Sequence, residues 1–590
     1  MWSLLIVFLL AVQGFTQTSD WKTFYEKSNF MRTPRYEETV AFCKRLAAAS
    51  PEIHFTSFGK SPQGRDLPLL IIDKNGNFNP RAVRTTDNAV LLIQAGIHAG
   101  EIDGKDAGLM LFRDIALGKK FSGLLNHVTV LFIPIFNVDG HEHFSRYNRI
   151  NQNGPEEMGW RVTAQNLNLN RDYLKADTPE MQAWLTLFQK WLPDFFIDCH
   201  VTDGADYQYP LTYAMETTGS MDKNLTSWTS DVYLNYMKES MAASGILVSS
   251  YIIPRKRHDP KSGLVSWSAS PRYSEGYTAI QNRPGLLIET HMLKDYKTRV
   301  TATYEMLRHT IELLDQQHKA LRSLVQNADV FSASPAFRRQ SFPVRFRPDP
   351  KDSVMIDFLG VAYKQIKSDL SGGQWFQYSD KPATFHIPYF NKQLPAAQVD
   401  LPEAYIIPPE WTSIIERLSL HGVTYFKLTA PKTVTVKSYK FSDVKWQERP
   451  FEGRHTLTFK QEEIEQTRTF PAGSVVIDMN QRAARVAAHI LEPLAPDSYL
   501  FWGFFDTIFE QKEYAETYVM EKMARRMLAE NPKLKTQFEN KKAKDADFAK
   551  NPRAILNWFY KMSPYWDERI NVYPVGKIMD AQIVQALGAH

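Results

Sequence analysis

Residues 19–332 read as an α/β domain, and residues 333–590 as a β-rich module followed by a mostly helical stretch from 501 onward. Three observations predict this. Between residues 34 and 328, apolar runs of strand length alternate with stretches of helical periodicity. Four of those runs lead into a polar residue, His98, Asn137, His200 and Glu289. In α/β sheets, side chains at strand carboxyl ends collect in the crevice where ligands bind. After Ala333, proline-rich breaks and short alternating runs such as VTYFKLTA and TVTVKSYKF replace that rhythm.

At the N-terminus, the apolar run Trp2–Val12 is followed by small and polar residues. It is too short to span a bilayer and reads as the core of a signal peptide over residues 1–18, without the usual basic start. The expectation is an exported protein, periplasmic or secreted, with no stable membrane anchor. No cysteine follows the run to carry a lipid, and no other stretch reaches the length of a span.

Residues 34–50 form an amphipathic helix with Val40, Cys43, Leu46 and Ala47 on one face, stopped by Pro51. Two strands then flank the turn Ser61-Pro62-Gln63-Gly64. Ala89–Ile97 is a strand, a helix runs from about Asp103 to Leu117, and Val128–Asn137 is a wholly apolar strand ending in Asn137-Val138-Asp139-Gly140. The segment His141–Arg171 is polar and rich in Asn and Gly. Such long loops inside a compact domain are usually functional, and His141 and His143 read as exposed residues of it. A helix returns at Pro179–Trp191. Phe195–Cys199 delivers His200, Gly285–Ile288 delivers Glu289, and Arg299–Asn327 is a long closing helix. Further on, residues 507–548 are charged and helical, Lys541, Lys542 and Lys544 form a solvated face, and the aromatic tail Ala554–Pro574 is expected to pack back on a neighbour.

Composition excludes several classes. With 70 basic and 65 acidic residues the net charge is only +5, and no dense Lys/Arg block is present, which argues against nucleic acid. Two cysteines are too few for a disulfide scaffold or a Cys-rich metal site. Cys199, in an apolar run, reads as a small buried hydrophobe.

The chemistry starts at AVLLIQAGIHAGEIDG (Ala89–Gly104), where a turn past a strand presents His98 and Glu101. A neutral imidazole with a carboxylate suits a divalent cation, zinc above all. By itself an HxxE arises about once by chance in a chain of this composition. Its weight comes from company: HAGE (His98–Glu101), LNLNRD with Asn170-Arg171, the distant His200 and the strand-borne Glu289 together resemble the zinc carboxypeptidases of the carboxypeptidase A type. FGKSPQGR (Phe58–Arg65), NVDG (Asn137–Gly140) and Trp160-Arg161 are similar to further marks of that family, in the same order, from about residue 34 to 328.

The resemblance implies a mixed eight-stranded sheet flanked by helices, and a hydrolase that removes C-terminal residues from peptides. By position, His98, Glu101 and His200 would bind one zinc, with water in the open place. Glu289 would be the general base, Arg161 would stabilise the oxyanion, and Asn170 and Arg171 would hold the substrate's free C-terminal carboxylate. Arg146 and Arg149 compete for the oxyanion role. Two positions depart from the family: Gly100 stands where many members carry an arginine, and Asn168 stands where an aspartate usually supports the first histidine. The substrate-capping tyrosine has three candidates, Tyr251, Tyr273 and Tyr277. The alternatives to a carboxypeptidase are a zinc amidase or deacylase acting on cell-wall peptides or acyl-amino acids, and a non-catalytic peptide-binding relative.

Overall fold

A computed structural model describes residues 20–588 apart from positions 119, 122 and 203. The expected signal peptide lies outside the described residues. Ten strands fall in the first half of the chain: β1 (Ile53–Lys60), β2 (Asp66–Ile72), β3 (Ala89–Ala95), β4 (Val128–Ile133), β5 (Phe195–Thr202), β6 (Leu211–Ala214), β7 (Val248–Ser250), β8 (Ile253–Lys256), β9 (Asp259–Val265) and β10 (Gly285–His291). Eight of them make one sheet in the order β1-β2-β4-β3-β5-β10-β6-β7. Its middle, β4-β3-β5-β10, is parallel, while β1, β2 and β6 pair antiparallel with their inner neighbours. The mixed eight-stranded sheet is thus as expected.

β3 and β4 are buried at every position, because both faces of the sheet are covered. Parallel strands in that setting read as unbroken apolar runs. Strand alternation splits the core in two. Leu91, Ile93 and Ala95 face a core shared with Leu111 and Phe112 of helix Asp103–Ala116 and with Met306 and Leu307 of helix Tyr296–Ser332. Val90 and Leu92 face the other core, with Trp184 and Phe188 of helix Pro179–Trp191. Gly104 lies so close to Cys199 that a Cβ there would sit 2.4 Å from the cysteine's own Cβ. Cys199 is indeed a small, buried packing residue. The helix Tyr296–Ser332 begins earlier than its apolar periodicity suggests, because Asp295 caps it by accepting the Thr298 amide.

The second half continues with β11 (Phe342–Pro348), β12 (Val354–Lys367), β13 (Gln374–Phe390), β14 (Gln393–Val399), β15 (Ala404–Ile407), β16 (Phe426–Lys427), β17 (Lys432–Trp446), β18 (Leu457–Phe470), β19 (Val475–Asp478) and β20 (Gly576–Ile578). Six of these form a sheet ordered β16-β19-β15-β20-β17-β18, and helices Thr517–Glu530, Pro532–Lys544 and Pro552–Lys561 follow it in sequence. The core containing Trp184 runs on into this region through Tyr405, Ile414, Leu418, Tyr499 and Tyr573. The end of the aromatic tail does pack back, with buried Tyr573 in this core and its amide donating to Tyr439 O (2.8 Å); just beyond it, β20 inserts between β15 and β17, where buried Lys577 meets Glu492 at 2.9 Å. Glu492 also accepts from Tyr405 Oη (2.6 Å) and Tyr439 Oη (2.9 Å), so this buried charge is fully hydrogen-bonded.

β12 and β13 form a long hairpin that pairs with β9 and, through it, β8. Gly360 bridges Tyr207, the Gln208 backbone N–H donates to Leu359 O (2.9 Å), and the Leu359 backbone N–H donates to Tyr209 Oη (3.1 Å). The hairpin is therefore tied to the loop that follows β5.

One buried group makes the fold pH-dependent. Glu180, in the first turn of helix Pro179–Trp191, is fully buried, and burial raises its pKa from 4.5 to about 7. The native state then holds a proton that the unfolded chain has lost, so this contribution is present below 4.5 and disappears as pH rises through 7. Glu180→Gln should leave stability nearly unchanged at pH 4.5 and raise it by about 2–3 kcal/mol at pH 8. Urea unfolding at the two pH values checks this, and a gap that does not widen contradicts it.

Candidate metal centre

Three buried side chains converge where β3, β5 and β10 end. His98 and Glu101 sit in the turn after β3, closed by the Glu101 amide donating to His98 O (2.8 Å), and His200 sits on β5. His98 Nδ1 is 3.2 Å from His200 Nδ1 and 3.1 Å from Glu101 Oε1, while His200 Nδ1 is 2.9 Å from Glu101 Oε2. Ligand atoms about 2.0–2.1 Å from a tetrahedral zinc lie about 3.3 Å apart. The three contacts, with Glu101 turning one oxygen to each imidazole, are close to that spacing, and two imidazoles with one carboxylate form a donor set that zinc favours. Among the described residues these three make the single cluster able to hold a metal ion.

The outward nitrogens are fixed too. His98 Nε2 lies 3.0 Å from Asn168 Oδ1, so the amide oxygen at the family's aspartate position does support this ring. His200 Nε2 lies 2.9 Å from Asp198 Oδ2 and 3.4 Å from Asn170 Nδ2. Asp198 was not singled out from the sequence, although strand alternation sets it on the same face as His200. Outer partners of this kind fix the tautomer and aim the ring at the metal. Burial lowers the pKa of His98 to about 4 and so keeps it neutral. For His200, burial opposes charge but Asp198 and Glu101 outweigh it, and its pKa is raised well above the ordinary value. Burial likewise opposes ionisation of Glu101, yet His98 and Arg149 hold its pKa well below the ordinary range. A cation held there would need the His200 nitrogen free of its proton.

Glu289 lies on β10 directly beside His200 in the parallel register, with Thr212 of β6 on its other side. Adjacent strands are about 4.8 Å apart, and residues paired in parallel register send their side chains to the same face of the sheet, so Glu289 leaves β10 on the same face as His200. The next residue anchors the strand: Thr290 Oγ1 donates to Asp103 Oδ2 (2.6 Å), which Arg299 Nε also reaches at 2.9 Å. Both His200 and Glu289 lie within their strands, not just past them as the sequence suggests. Their polar side chains face the crevice while the backbone keeps pairing for two more residues.

Two arginines meet Glu101 Oε1. Arg161 Nη1 is 3.0 Å away with 42% of its side chain exposed, and Arg149 Nη1 is 2.8 Å away with 13% exposed. Arg146 is exposed. Gly100 makes room for Arg149, since a Cβ there would lie 2.5 Å from Arg149 Cδ and 2.8 Å from Gly159 O. Asn170 is buried, its Oδ1 accepting from the Ser274 amide. Arg171 donates to Asn170 O (2.6 Å) and stacks over the Tyr273 ring at 4.4 Å. Tyr273 packs on Trp267, and Trp267 on Tyr251, which lines three aromatic rings beside Arg171. Tyr277 is elsewhere, fully buried with its hydroxyl on His421 Nδ1 (2.9 Å).

His141 corrects a sequence expectation. It is fully buried in the short helix Val138–Glu142, where its Nε2 meets Lys105 Nζ at 2.9 Å. His143 is exposed, as expected. The motifs FGKSPQGR and NVDG meet at Asp139, which accepts from Ser61 Oγ (2.8 Å), the Gln63 amide (3.1 Å) and Arg65 Nη1 (2.7 Å). Their role here is to join the β1–β2 turn to the segment after β4.

The sequence profile described as zinc carboxypeptidase matches residues 39–259. The chain is 25% identical over 486 residues to carboxypeptidase 2 of Trichophyton rubrum, covering 80% of this chain and 84% of that protein. The carboxypeptidase 2 of Trichophyton equinum is similar at 25% over 488 residues, covering 80% and 84%. An overlap of that extent reaches past residue 333, so the likeness to these relatives is wider than the sequence motifs indicated. Among solved structures, a metallo-carboxypeptidase from Burkholderia cenocepacia gives a TM-score of 0.36 at 17% identity, covering 48% of this chain and 69% of that one. The carboxypeptidase A of Helicoverpa armigera gives 0.36 at 18%, covering 51% and 75%. Among the described residues no helix is long and apolar enough to cross a membrane.

Proposed function

We propose that this protein is an exported zinc metallocarboxypeptidase that hydrolyses the C-terminal peptide bond of peptides. The observation that carries this reading is the triangle of His98 Nδ1, His200 Nδ1 and Glu101, with edges of 2.9–3.2 Å, lying beside Glu289. Zinc, when bound there, supplies a water of pKa near about 7 and a Lewis acid for the scissile carbonyl. Glu289 would accept a proton from the attacking water and return it to the leaving nitrogen, a role that suits a carboxylate on the strand beside His200. Arg161, exposed enough to reach substrate, donates to the oxyanion that develops on the carbonyl, a contact typically worth about 3 kcal/mol. Arg149, more deeply buried on Glu101, holds that carboxylate in place. Arg171, with Asn170 beside it, grips the terminal carboxylate, for which the guanidinium fork is the best geometric match.

The carboxylate grip is tested by comparing a peptide acid with its C-terminal amide. The protein should cleave the acid at least tenfold faster in kcat/KM. Arg171→Leu should lower kcat/KM for the acid by roughly 10–100-fold, as loss of a charged hydrogen bond does, while leaving the amide rate unchanged. Equal rates on acid and amide would overturn the exopeptidase reading in favour of an amidase.

A further inference from the structure

The two histidines of the triad are supported unequally. His200 leans on a carboxylate, Asp198, whereas His98 leans on the uncharged amide oxygen of Asn168. Asn168 Oδ1 also accepts the Asn170 amide (2.9 Å), so one side chain fixes both a ligand and the start of the carboxylate-gripping pair. What fixes Asn168 comes from far along the chain. Its backbone N–H donates to Glu452 Oε2 at 2.9 Å, across 284 residues of sequence.

Glu452 belongs to the turn Phe451–Arg454 between β17 and β18. Its φ is +50°, a left-handed conformation that costs a side-chain-bearing residue energy unless something holds it there. The rest of the turn is seated on the same loop. Arg454 forks onto Asp177, with Nε to Oδ2 and Nη2 to Oδ1 both 2.7 Å, and Arg417 reaches Asp177 Oδ1 at 3.2 Å. Gly453 lies against Leu167 Cδ2, which a Cβ would approach to 3.3 Å. The turn thus grips loop 166–178 at Asn168 and at Asp177, on either side of Asn170 and Arg171.

We infer that Glu452 is a positioning residue of the metal centre, acting through Asn168 to orient His98 from the C-terminal half of the chain. A hydrogen bond to a carboxylate is roughly twice as strong as a neutral one. Here it fixes the backbone that carries the amide oxygen, so what the position must supply is an acceptor oxygen at this reach. This rests on His98, Glu101 and His200 being the zinc site.

The test uses the full chain and reads metal binding, not turnover. Zinc affinity is measured by competition with a chromophoric chelator, and the ligand field by the visible spectrum of the cobalt-loaded protein, for the parent, E452G, E452D and E452Q. E452G suits the left-handed turn without strain and removes the carboxylate. E452D keeps the charge but withdraws the oxygens by one methylene, and E452Q keeps an acceptor oxygen in reach. E452G and E452D should bind zinc about 10-fold more weakly, the lower end of what outer-shell partners contribute, with a shifted cobalt spectrum. E452Q should lie within about twofold of the parent, a rescue that general loosening of the fold would not give. A parent that binds zinc while both E452G and E452D match its affinity and spectrum overturns the inference alone. A parent that takes up no zinc overturns the metal reading and this inference with it.

Discussion

Replacing Glu289 by glutamine should lower kcat by about 10²–10⁴-fold, the range for a general base acting in the transition state, and leave zinc content unchanged. The split follows from position. Glu289 is outside the ligand triangle, on the neighbouring strand in register with His200, so the substitution removes a proton acceptor without removing a ligand. Glutamine keeps the shape and a hydrogen-bonding oxygen, and β10 remains anchored by Thr290 on Asp103. Peptide affinity should therefore hold, with the loss falling on kcat and not on KM. Parallel loss of zinc would mean that Glu289 is part of the metal site, and retained activity would assign the base elsewhere.

His200→Ala is expected to have the opposite signature. It removes one of three donors, so zinc affinity should fall by more than about 100-fold, beyond the range for outer-shell partners, and activity should vanish with it. The fold should survive, since the neighbouring strands pair along the whole of β5 and its core residues, Phe195, Phe196, Ile197 and Cys199, are untouched. Removal also leaves Asp198 buried without its imidazole partner, though still accepting from Gln94 Nε2 at 3.0 Å. A modest loss of thermal stability should accompany the loss of metal. Zinc titration of parent and variant in the presence of a competing chelator decides this, and equal affinities would remove His200 from the site.

Much of the candidate site was legible because strand ends and turns are local features. His98, Glu101, His200 and Glu289 each follow or interrupt an apolar run, and the sheet brings those runs side by side. Asp198 was equally accessible through the alternation of β5 but is masked by sitting in an otherwise apolar strand. The burial of His141 depends on Lys105 from another helix, which no periodicity in the loop records. Trp267, placed between Tyr251 and Tyr273, gained its role from packing alone. The contact of Glu452 with Asn168 has no sequence signature, because its two partners meet only once the six-stranded sheet and the loop before helix Pro179–Trp191 have both formed. The first half of the fold was readable for a similar reason: parallel strands buried on both faces announce themselves as apolar runs, whereas the half-exposed strands of β12, β13, β17 and β18 carry a weaker pattern.

The central claim is zinc-dependent removal of C-terminal residues, and mass spectrometry of free-acid peptides incubated with the purified protein tests it most directly. The account predicts loss of single residues from the C-terminus, abolished when a chelator strips the metal and restored by added zinc. Cleavage at internal bonds, cleavage indifferent to the chelator, or intact peptides after incubation with the zinc-loaded protein would contradict it.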